Sequence, residues 1–309
     1  MADVSNIGII VSRGAEFTDF HQAADQMGFH SLWVTGGMFQ SVSLGWAGGG
    51  GPEHPFTVLA AAAAATSRIR LGTGVMRDLM RDPVALASEL ARLDRLSNGR
   101  LVLGVSQSDW PGEHEQPIGS TLWARRGARA EELITLLKRL WAEDEVTFQG
   151  GHFRVQNASI SERPVQPGGV PILVGGASLA SVRLAATLAD GWVHPSGGIP
   201  EQLLLYCATV KYLALEAKRD PSALELEKVI YLAIDDDKAQ ARRRLTILQQ
   251  YYSRGYIVNY CCAYGPPADC AAFIRRTLES GIKRVLVCLM SPDVAELERL
   301  RREVIPLLE

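Results

Sequence analysis

The sequence predicts a (β/α)8 TIM barrel, a fold of the α/β class. Short apolar runs alternate with amphipathic stretches along all 309 residues, in eight repeats of strand then helix. The runs are apolar throughout, which is typical of parallel strands covered on both faces. The first turn, Ser12–Ala15, lacks the G-x-G-x-x-G phosphate loop of the competing doubly wound open sheet. The predicted strands are Ile7–Val11, Ser31–Thr35, Ile69–Val75, Leu101–Ser106, Pro171–Val174, Gly191–His194, Val229–Ile234 and Arg284–Leu289.

Helical periodicity and end signals predict the segments between these strands. Asp82 is the predicted N-cap of a helix that Pro83 opens and that Asn98-Gly99 ends. The predicted helices are Phe17–Met27, Pro83–Leu96, Ala124–Trp141, Leu179–Ala189, Glu201–Lys218, Ala239–Tyr252, Pro267–Ser280 and Val294–Arg302.

Two connections exceed normal length. Gly36–Pro55 holds seven glycines and follows the second strand, where it is either a mobile cover for the barrel or a loop without function. Glu143–Val170 lies between the fourth helix and the fifth strand, and its turn at Gly150-Gly151 predicts an inserted hairpin. No repeat or linker divides the chain, so residues 1–309 are expected to form one domain.

Composition excludes several classes of protein. With 47% hydrophobic residues, 21% charged residues and a net charge of −2, the chain is typical of a soluble globular protein with no field for nucleic acid or an anionic membrane. No signal peptide or apolar span of about 20 residues is visible, so we expect a cytoplasmic protein. Five cysteines without a C-x-x-C pair favour buried reduced thiols over a redox device at Cys261-Cys262.

Familiar catalytic motifs fail on spacing. There is no P-loop, and no H-x-H or H-E-x-x-H pair, so no metal ligand set is predicted, although a zinc site gathered across strand ends stays possible. The Gly176–Ala180 segment is close to a nucleophile elbow. A serine hydrolase needs a histidine well downstream of that serine, and the last histidine is His194.

Four ordered segments resemble the bacterial luciferase-like family of flavin- and deazaflavin-dependent oxidoreductases. Together they cover nearly the whole chain. They are Met27–Val34; Ser67–Val75 with Arg81–Ala87 and Leu93–Val105; Pro164–Pro167 with Pro171–Gly176 and Ala185–Trp192; and Gly265–Pro267 with Gly281. The resemblance implies a flavin-type ring at the barrel mouth, and relatives are commonly homodimers.

The end of the third strand is one predicted cofactor contact. Thr73 and Gly74 are small residues where a backbone must pass close to a flat group. In relatives this bulge often holds a non-proline cis peptide that supports one face of the ring. The alternative is an ordinary strand-to-loop glycine.

The end of the fifth strand is the predicted phosphate site. Gly175, Gly176, Ala177 and Ser178 open a helix, whose N-terminus attracts an anion while the glycines allow close approach. The alternative is a plain turn in which Ser178 is the N-cap.

The loop after the fourth strand holds further predicted contacts. The resemblance implies cofactor binding by Ser106 and Asp109, and substrate or ring contact by Trp110. Glu113 and His114 form the most plausible acid/base pair, with solvated loop charges as the alternative.

The second and sixth strands complete the predicted site. Trp33, Met38 and Phe39 are expected to line an apolar substrate pocket, although Trp33 could instead pack in the core. Many relatives follow Trp33 with an acidic residue and a histidine, whereas Thr35-Gly36-Gly37 stand here, so a usual proton donor is missing. His54 and His194 are the remaining candidates, and His194, at a strand end, is expected to face the mouth.

The resemblance implies a monooxygenase that takes reduced FMN from a partner flavin reductase and acts on a small organic substrate. Two alternatives stay open. A deazaflavin, coenzyme F-420, would instead support hydride transfer in a reductase or dehydrogenase. A catalytically impaired barrel would only bind flavin, as the missing histidine allows.

Overall fold

A computed structural model of the chain describes residues 4–11, 17–35, 54–76, 81–107, 125–246, 248, 258–290 and 293–309. The strands are β1 Ile7–Val11, β2 Ser31–Val34, β3 Arg70–Thr73, β4 Leu101–Ser106, β5 Val146–Gln149, β6 Arg154–Ala158, β7 Ile172–Gly175, β8 Gly191–His194, β9 Glu225–Ile234, β10 Cys262–Gly265 and β11 Arg284–Leu289. The helices are α1 Phe17–Gln26, α2 Pro55–Ala65, α3 Pro83–Leu96, α4 Arg126–Ala142, α5 Leu179–Thr187, α6 Pro200–Glu216, α7 Lys238–Leu245, α8 Val258–Cys261, α9 Pro267–Glu279 and α10 Val294–Arg299.

The predicted barrel is confirmed. Parallel pairing runs β1-β2-β3-β4-β7-β8-β9-β11, and β11 pairs with β1, so the eight strands close on themselves. All five cysteines are buried, as expected, and none of them forms a disulfide. None of the helices that can be described has the length and hydropathy needed to cross a membrane.

The inserted hairpin is also confirmed, as the antiparallel pair β5 and β6. Glu132 of α4 fixes its turn, because the carboxylate accepts the N–H groups of Gly151, His152 and Phe153 at 2.8 to 3.0 Å. The turn of the insertion is thereby fastened to α4 on the outside of the barrel.

Several elements differ from the prediction. The structure has a helix, α2, where the sequence analysis predicted none. Pro55 suits its first turn and the alanines that follow are strong helix formers. Strand β9 begins at Glu225 rather than Val229, and β10 was not predicted. The first half of β9 pairs with β8 and its second half with β10.

Trp33 fills the middle of the barrel. Its indole is 1% exposed and packs with the apolar side chains that face the barrel axis. Its Nε1 donates to Ser31 Oγ at 2.8 Å. A Cβ added to Gly8 or Gly72 would collide with the Ser31 or Trp33 side chain, so glycines on the neighbouring strands make room for this single large ring.

Ion pairs close the amino-terminal end of the barrel. Arg70 binds Glu225 at 2.9 Å, and Arg284 binds Glu225 at 3.0 Å and Glu227 at 3.4 Å. Burial, with the nearby Glu225 carboxylate, raises the pKa of Glu227 to about 7. Burial, together with Arg284 and Arg70, lowers the pKa of His30 to about 4. We refer to His30, Arg70, Glu225, Glu227 and Arg284 as the floor cluster.

Candidate functional site

The candidate site lies at the mouth of the barrel, where the carboxyl ends of the parallel strands meet. At the end of β3 the ladder to β4 contains a bulge. Gly72 is opposite Val102 and Met76 is opposite Val105, so the β3 side has one extra residue. The Gly74–Val75 peptide is cis, which confirms the expected non-proline cis bond. Gly74 and Val75 are half-buried at this rim.

Two glycines on adjacent strands accommodate the bulge. A Cβ added to Gly104 of β4 would collide with the Thr73 carbonyl. A Cβ added to Gly175 of β7 would lie 3.0 Å from both methyl carbons of Val75. The bulge therefore rests against β4 and β7, and its position depends on the absence of side chains there.

Thr73 secures the bulge from below. Its hydroxyl donates to the Gly104 carbonyl at 2.7 Å and accepts the Gly104 N–H at 2.9 Å, and the residue is fully buried. The Thr73 hydroxyl is therefore engaged within the barrel, and the predicted approach of the Thr73 backbone to a cofactor stays a prediction. The hydroxyl acts on the shape of the mouth through the backbone of β4.

The turn after β7 is only partly available to an anion. The Gly176 N–H donates to the Val193 carbonyl at 3.1 Å, and Trp192 Nε1 donates to the Gly176 carbonyl at 2.7 Å. Ser178 is the N-cap of α5, because its Oγ accepts the Ser181 N–H at 3.2 Å. Ser178 is thus the N-cap that the plain-turn interpretation expects, and phosphate binding by Gly176 and Ser178 stays a prediction.

The first turn of α5 still offers donors. The N–H groups of its first two residues, Leu179 and Ala180, have no acceptor within the helix. Ala177 is half-buried and leads into this turn, and Ser178 is exposed. An anion at this helix end would meet backbone N–H groups and the positive end of the helix dipole.

Polar residues at the end of β4 and cationic residues at the start of α4 lie at the same rim. Ser106 and Gln107 are buried there. Gly127 of α4 lies beside the Gln107 side chain, since a Cβ added to Gly127 would be 3.6 Å from Gln107 Oε1. Arg125 and Arg126 stand at the start of α4. Since β4 and β7 are paired neighbours, the N-termini of α4 and α5 begin side by side at the mouth.

His194 does not face the mouth, which corrects the sequence-based expectation. Val193 belongs to the barrel interior, so its neighbour points toward the helices. The imidazole is 2% exposed, packs edge-on against Trp192 and Tyr206, and its Nδ1 lies 2.7 Å from the Pro195 carbonyl oxygen. Burial, with the nearby Lys228 ammonium, holds its pKa well below the usual value.

Lys228 is a buried group that the sequence analysis missed. Its Nζ donates to the carbonyls of Pro195, Gly197 and Val229, the latter two at 2.8 and 3.0 Å. It fills the opening between the end of β8 and the start of β10 and fastens the loop after His194. Burial lowers its pKa to about 7. A lysine directly before the apolar run Val229–Ile234 was the available signal.

The inner surface of the mouth is apolar. Val75, Val229 and Tyr231 are partly buried and pack on the interior cluster around Trp33. Tyr231 also contacts the cluster that α7, α8 and β10 form beside the mouth. Among the residues that can be described, no group of three metal-binding side chains comes together.

The remaining predicted site residues lie outside the described residues. These are Met38, Phe39, Asp109, Trp110, Glu113 and His114. Their roles stay predictions, as does substrate contact by Trp33, whose indole lies beneath the mouth.

Comparisons with known proteins agree with this geometry. The chain is 34% identical over 218 residues to an F420-dependent glucose-6-phosphate dehydrogenase of Nakamurella multipartita, a match that covers 67% of this chain and 57% of that protein. The chain spans 54 to 66% of the length of three such related dehydrogenases.

Two solved structures share the fold. An F420-dependent secondary alcohol dehydrogenase has a TM-score of 0.84 at 21% identity, with 98% of this chain and 99% of the other covered. The monooxygenase RslO1 of Streptomyces bottropensis has a TM-score of 0.80 at 24% identity, with 98% of each chain covered. A family model described as "Luciferase-like monooxygenase" matches residues 6–283. With its closed barrel and its bulge at the end of β3, this chain belongs to the luciferase-like monooxygenase family.

Proposed function

We propose that this protein is an oxidoreductase that uses a deazaflavin cofactor and transfers hydride to or from a small organic substrate. The observation that carries the proposal is the 34% identity, over two thirds of the chain, to an F420-dependent dehydrogenase. The FMN-dependent monooxygenase that we expected from the sequence is thereby the second candidate.

The mouth fits the ring of such a cofactor. A flat tricyclic ring needs a backbone that approaches it closely without intervening side chains. The half-exposed Gly74–Val75 bulge, set against Gly104 and Gly175, offers that surface. When bound, a deazaflavin accepts or donates hydride without activating oxygen.

The rim fits the anionic tail. The free N–H groups at the start of α5 and the arginines at the start of α4 lie on neighbouring units of the barrel. A phosphate there would be stabilised by backbone donors, the helix dipole and at least one guanidinium. Flavin and deazaflavin cofactors share this anionic tail, so this part of the site fits either.

The residues around the mouth would hold the ring and keep water away. Val75, Val229 and Tyr231 present apolar surface, which favours a reaction from which solvent is excluded. Because His194 is turned toward the helices, proton transfer falls to residues such as Glu113 and His114, as predicted from the sequence.

The second candidate, a monooxygenase fed with reduced FMN by a flavin reductase, is favoured by the family's own description. The two candidates differ in their need for oxygen. A monooxygenase makes product only with oxygen present, whereas hydride transfer proceeds without it.

The test is an anaerobic assay with deazaflavin and a panel of small alcohols and sugar phosphates. We expect absorbance near ~420 nm to fall as the cofactor is reduced. The Gly175→Ala variant, which displaces Val75, should lose most of this activity, while Gly151→Ala on the inserted hairpin, which meets only an ordinary contact, should retain it. Product that forms only with reduced FMN and oxygen would contradict the proposal. Binding of either cofactor with no turnover across the panel would instead favour the impaired barrel.

A further inference from the structure

The chain leaves the barrel after β8 at a proline. Val193 of β8 lies opposite Gly175 of β7, and its carbonyl accepts the Gly176 N–H at 3.1 Å. In a regular parallel ladder, the next bond would run from the N–H of residue 195 to the Gly176 carbonyl. Residue 195 is proline, which has no N–H. The ladder between β7 and β8 therefore ends here, and the loop after β8 is free to separate from the turn after β7.

The Trp192 side chain supplies the donor that the proline lacks. Its Nε1 donates to the Gly176 carbonyl at 2.7 Å, and the indole is fully buried on the helix side of β8. The indole packs edge-on against the His194 ring, which fixes it from the other side. The turn after β7 thus keeps its hydrogen bond although the loop after β8 has left the sheet.

The Lys228 side chain does the same toward β9. The register of β8 and β9 would give the Val229 carbonyl the N–H of Ser196. That carbonyl accepts Lys228 Nζ instead, at 3.0 Å. Lys228 Nζ also donates to the carbonyls of Pro195 and Gly197, the latter at 2.8 Å. The ammonium therefore holds the loop on both sides of Ser196.

The residue held in this way, Ser196, carries a buried hydroxyl. Ser196 is 4% exposed, and its hydroxyl has no hydrogen-bond partner among the residues that the structure describes. Buried hydroxyls are normally satisfied, because leaving one without a partner costs free energy. Three residues beyond the pair Gly175 and Val193, the two strands reach Ser178 and Ser196. The Ser196 hydroxyl is therefore level with the start of α5.

We propose that the Ser196 hydroxyl binds the anionic tail of the cofactor, and that Trp192 and Lys228 are the positioning residues that hold it there. The inference rests on the proposed function, which sets that tail at the start of α5. A serine hydroxyl can donate a hydrogen bond to a phosphate oxygen, and bonds to charged groups are the stronger ones. A Cβ added to Gly197 would meet nothing within 4 Å, so the loop has open space beside Ser196.

The test compares ligands that differ in the phosphate alone or in the tail that carries it. Cofactor-free protein is titrated with FMN and riboflavin, and with coenzyme F-420 and the same deazaflavin without its phosphate-bearing tail. The natural chain should prefer the tail-bearing ligand of each pair. In Ser196→Ala this preference should fall about tenfold, as expected for one hydrogen bond to a charged group, while the affinity for the phosphate-free ligand is unchanged.

Two further variants test the positioning residues. Trp192→Phe removes the indole N–H from the Gly176 carbonyl, and Lys228→Met removes the ammonium from the loop. Each should lower the same preference. A general loss of stability would weaken both ligands of a pair alike, so the ratio of the two affinities separates positioning from stability. Far-ultraviolet circular dichroism shows whether each variant is folded.

Matched controls are available elsewhere in the chain. Ser280, a buried serine, donates its hydroxyl to the Thr277 carbonyl at 2.6 Å, and Trp141 donates its Nε1 to the Ala87 carbonyl at 3.1 Å. Ser280→Ala and Trp141→Phe remove the same atoms as the test variants, at the C-terminal ends of α9 and α4, and should keep the preference of the natural chain.

The outcomes separate this inference from the proposed function. A natural chain without any preference for the tail-bearing ligands would overturn both the inference and the tail site at the start of α5. A preference that Ser196→Ala retains in full would overturn the inference alone. A preference that both Trp192→Phe and Lys228→Met retain would overturn the positioning role of these two residues.

Discussion

The two ends of the barrel differ in what holds them together. At the amino-terminal end, the floor cluster gathers two arginines, two glutamates and a histidine, and its pKa values are strongly shifted. At the mouth, the described residues are mostly apolar or glycine, and the shape of the bulge depends on Gly104 and Gly175. Shifted pKa values often mark functional sites, but those of His30 and Glu227 lie at the closed end, and those of His194 and Lys228 belong to buried groups level with the end of β8. In TIM barrels the active site lies at the carboxyl ends of the strands, and residues at the other end contribute mainly to stability.

The largest expected effect follows from removing a cation of the floor cluster. Arg284→Met leaves Glu225 and Glu227 with less compensation, and breaking a buried ion pair from one side costs ~3–5 kcal/mol. We expect urea unfolding to show a loss of that size. As a control, Arg163→Ala, which removes an exposed pair with Asp144, should cost under ~1 kcal/mol. Equal losses in the two variants would contradict a special role for the floor cluster.

The next effect comes from filling space at the mouth. In Gly104→Ala the new methyl collides with the Thr73 carbonyl, so the bulge must move, and such overpacking costs ~1–3 kcal/mol. Cofactor affinity should fall together with stability. Gly151→Ala meets only an ordinary contact and should change neither. If Gly104→Ala left both the unfolding midpoint and the cofactor affinity unchanged, the mouth would tolerate a side chain at position 104.

The closed barrel could be predicted from the sequence, whereas the ends of some strands could not. Apolar runs identify parallel strands because both faces are covered. The same pattern hides which face is inside, so it could not reveal that Val193 faces the axis and His194 the helices. The start of β9 was missed because the half-buried Glu225 and the buried Glu227 and Lys228 are stabilised there by partners distant in sequence.

The bulge at Gly74 was predicted through the family resemblance, and the structure confirms it. The N-cap role of Ser178 was one of the two interpretations that the sequence allowed, whereas the hydrogen-bond partners of Thr73 and Gly176 were not predictable. Each side chain or amide finds its hydrogen-bond partner on a neighbouring strand or within its own helix turn. The local sequence motif is compatible with either hydrogen-bond partner. The packing of the folded chain decides which of the two the polar group binds.

A smaller expected effect is the pH dependence of stability that Glu227 causes at the amino-terminal end of the barrel. The folded pKa of Glu227, about 7, exceeds its ordinary value of 4.5, so the folded state binds the extra proton between these values. The contribution of Glu227 to stability is therefore greatest below pH 4.5 and is lost as the pH rises to about 7, by at most ~1.4 kcal/mol per pH unit.

Comparison with Glu227→Gln isolates this contribution from that of His30, which titrates in the opposite sense. The stability of the natural chain relative to the variant should decline from pH 5 to pH 7, as measured by urea unfolding at each pH. A difference that is constant with pH, or that grows with rising pH, would contradict a raised pKa.

The smallest expected effect concerns His194. Because its ring lies among Trp192 and Tyr206 on the helix side, His194→Gln should lower stability but leave the pH dependence of turnover unchanged. The matched measurement is the pH profile of kcat in the variant and in the natural chain. A lost or shifted limb in the pH profile of kcat would indicate that His194 acts as an acid or a base in turnover.

The most direct test of the account is a binding titration of the cofactor-free protein with deazaflavin and with FMN. We expect deazaflavin to bind with a Kd below ~100 μM, a site worth more than ~5 kcal/mol, and more tightly than FMN, and we expect Gly175→Ala to weaken that binding while Arg163→Ala does not. Failure of both cofactors to bind, or equal binding by Gly175→Ala, would contradict the assignment of the cofactor site to the glycine-lined mouth.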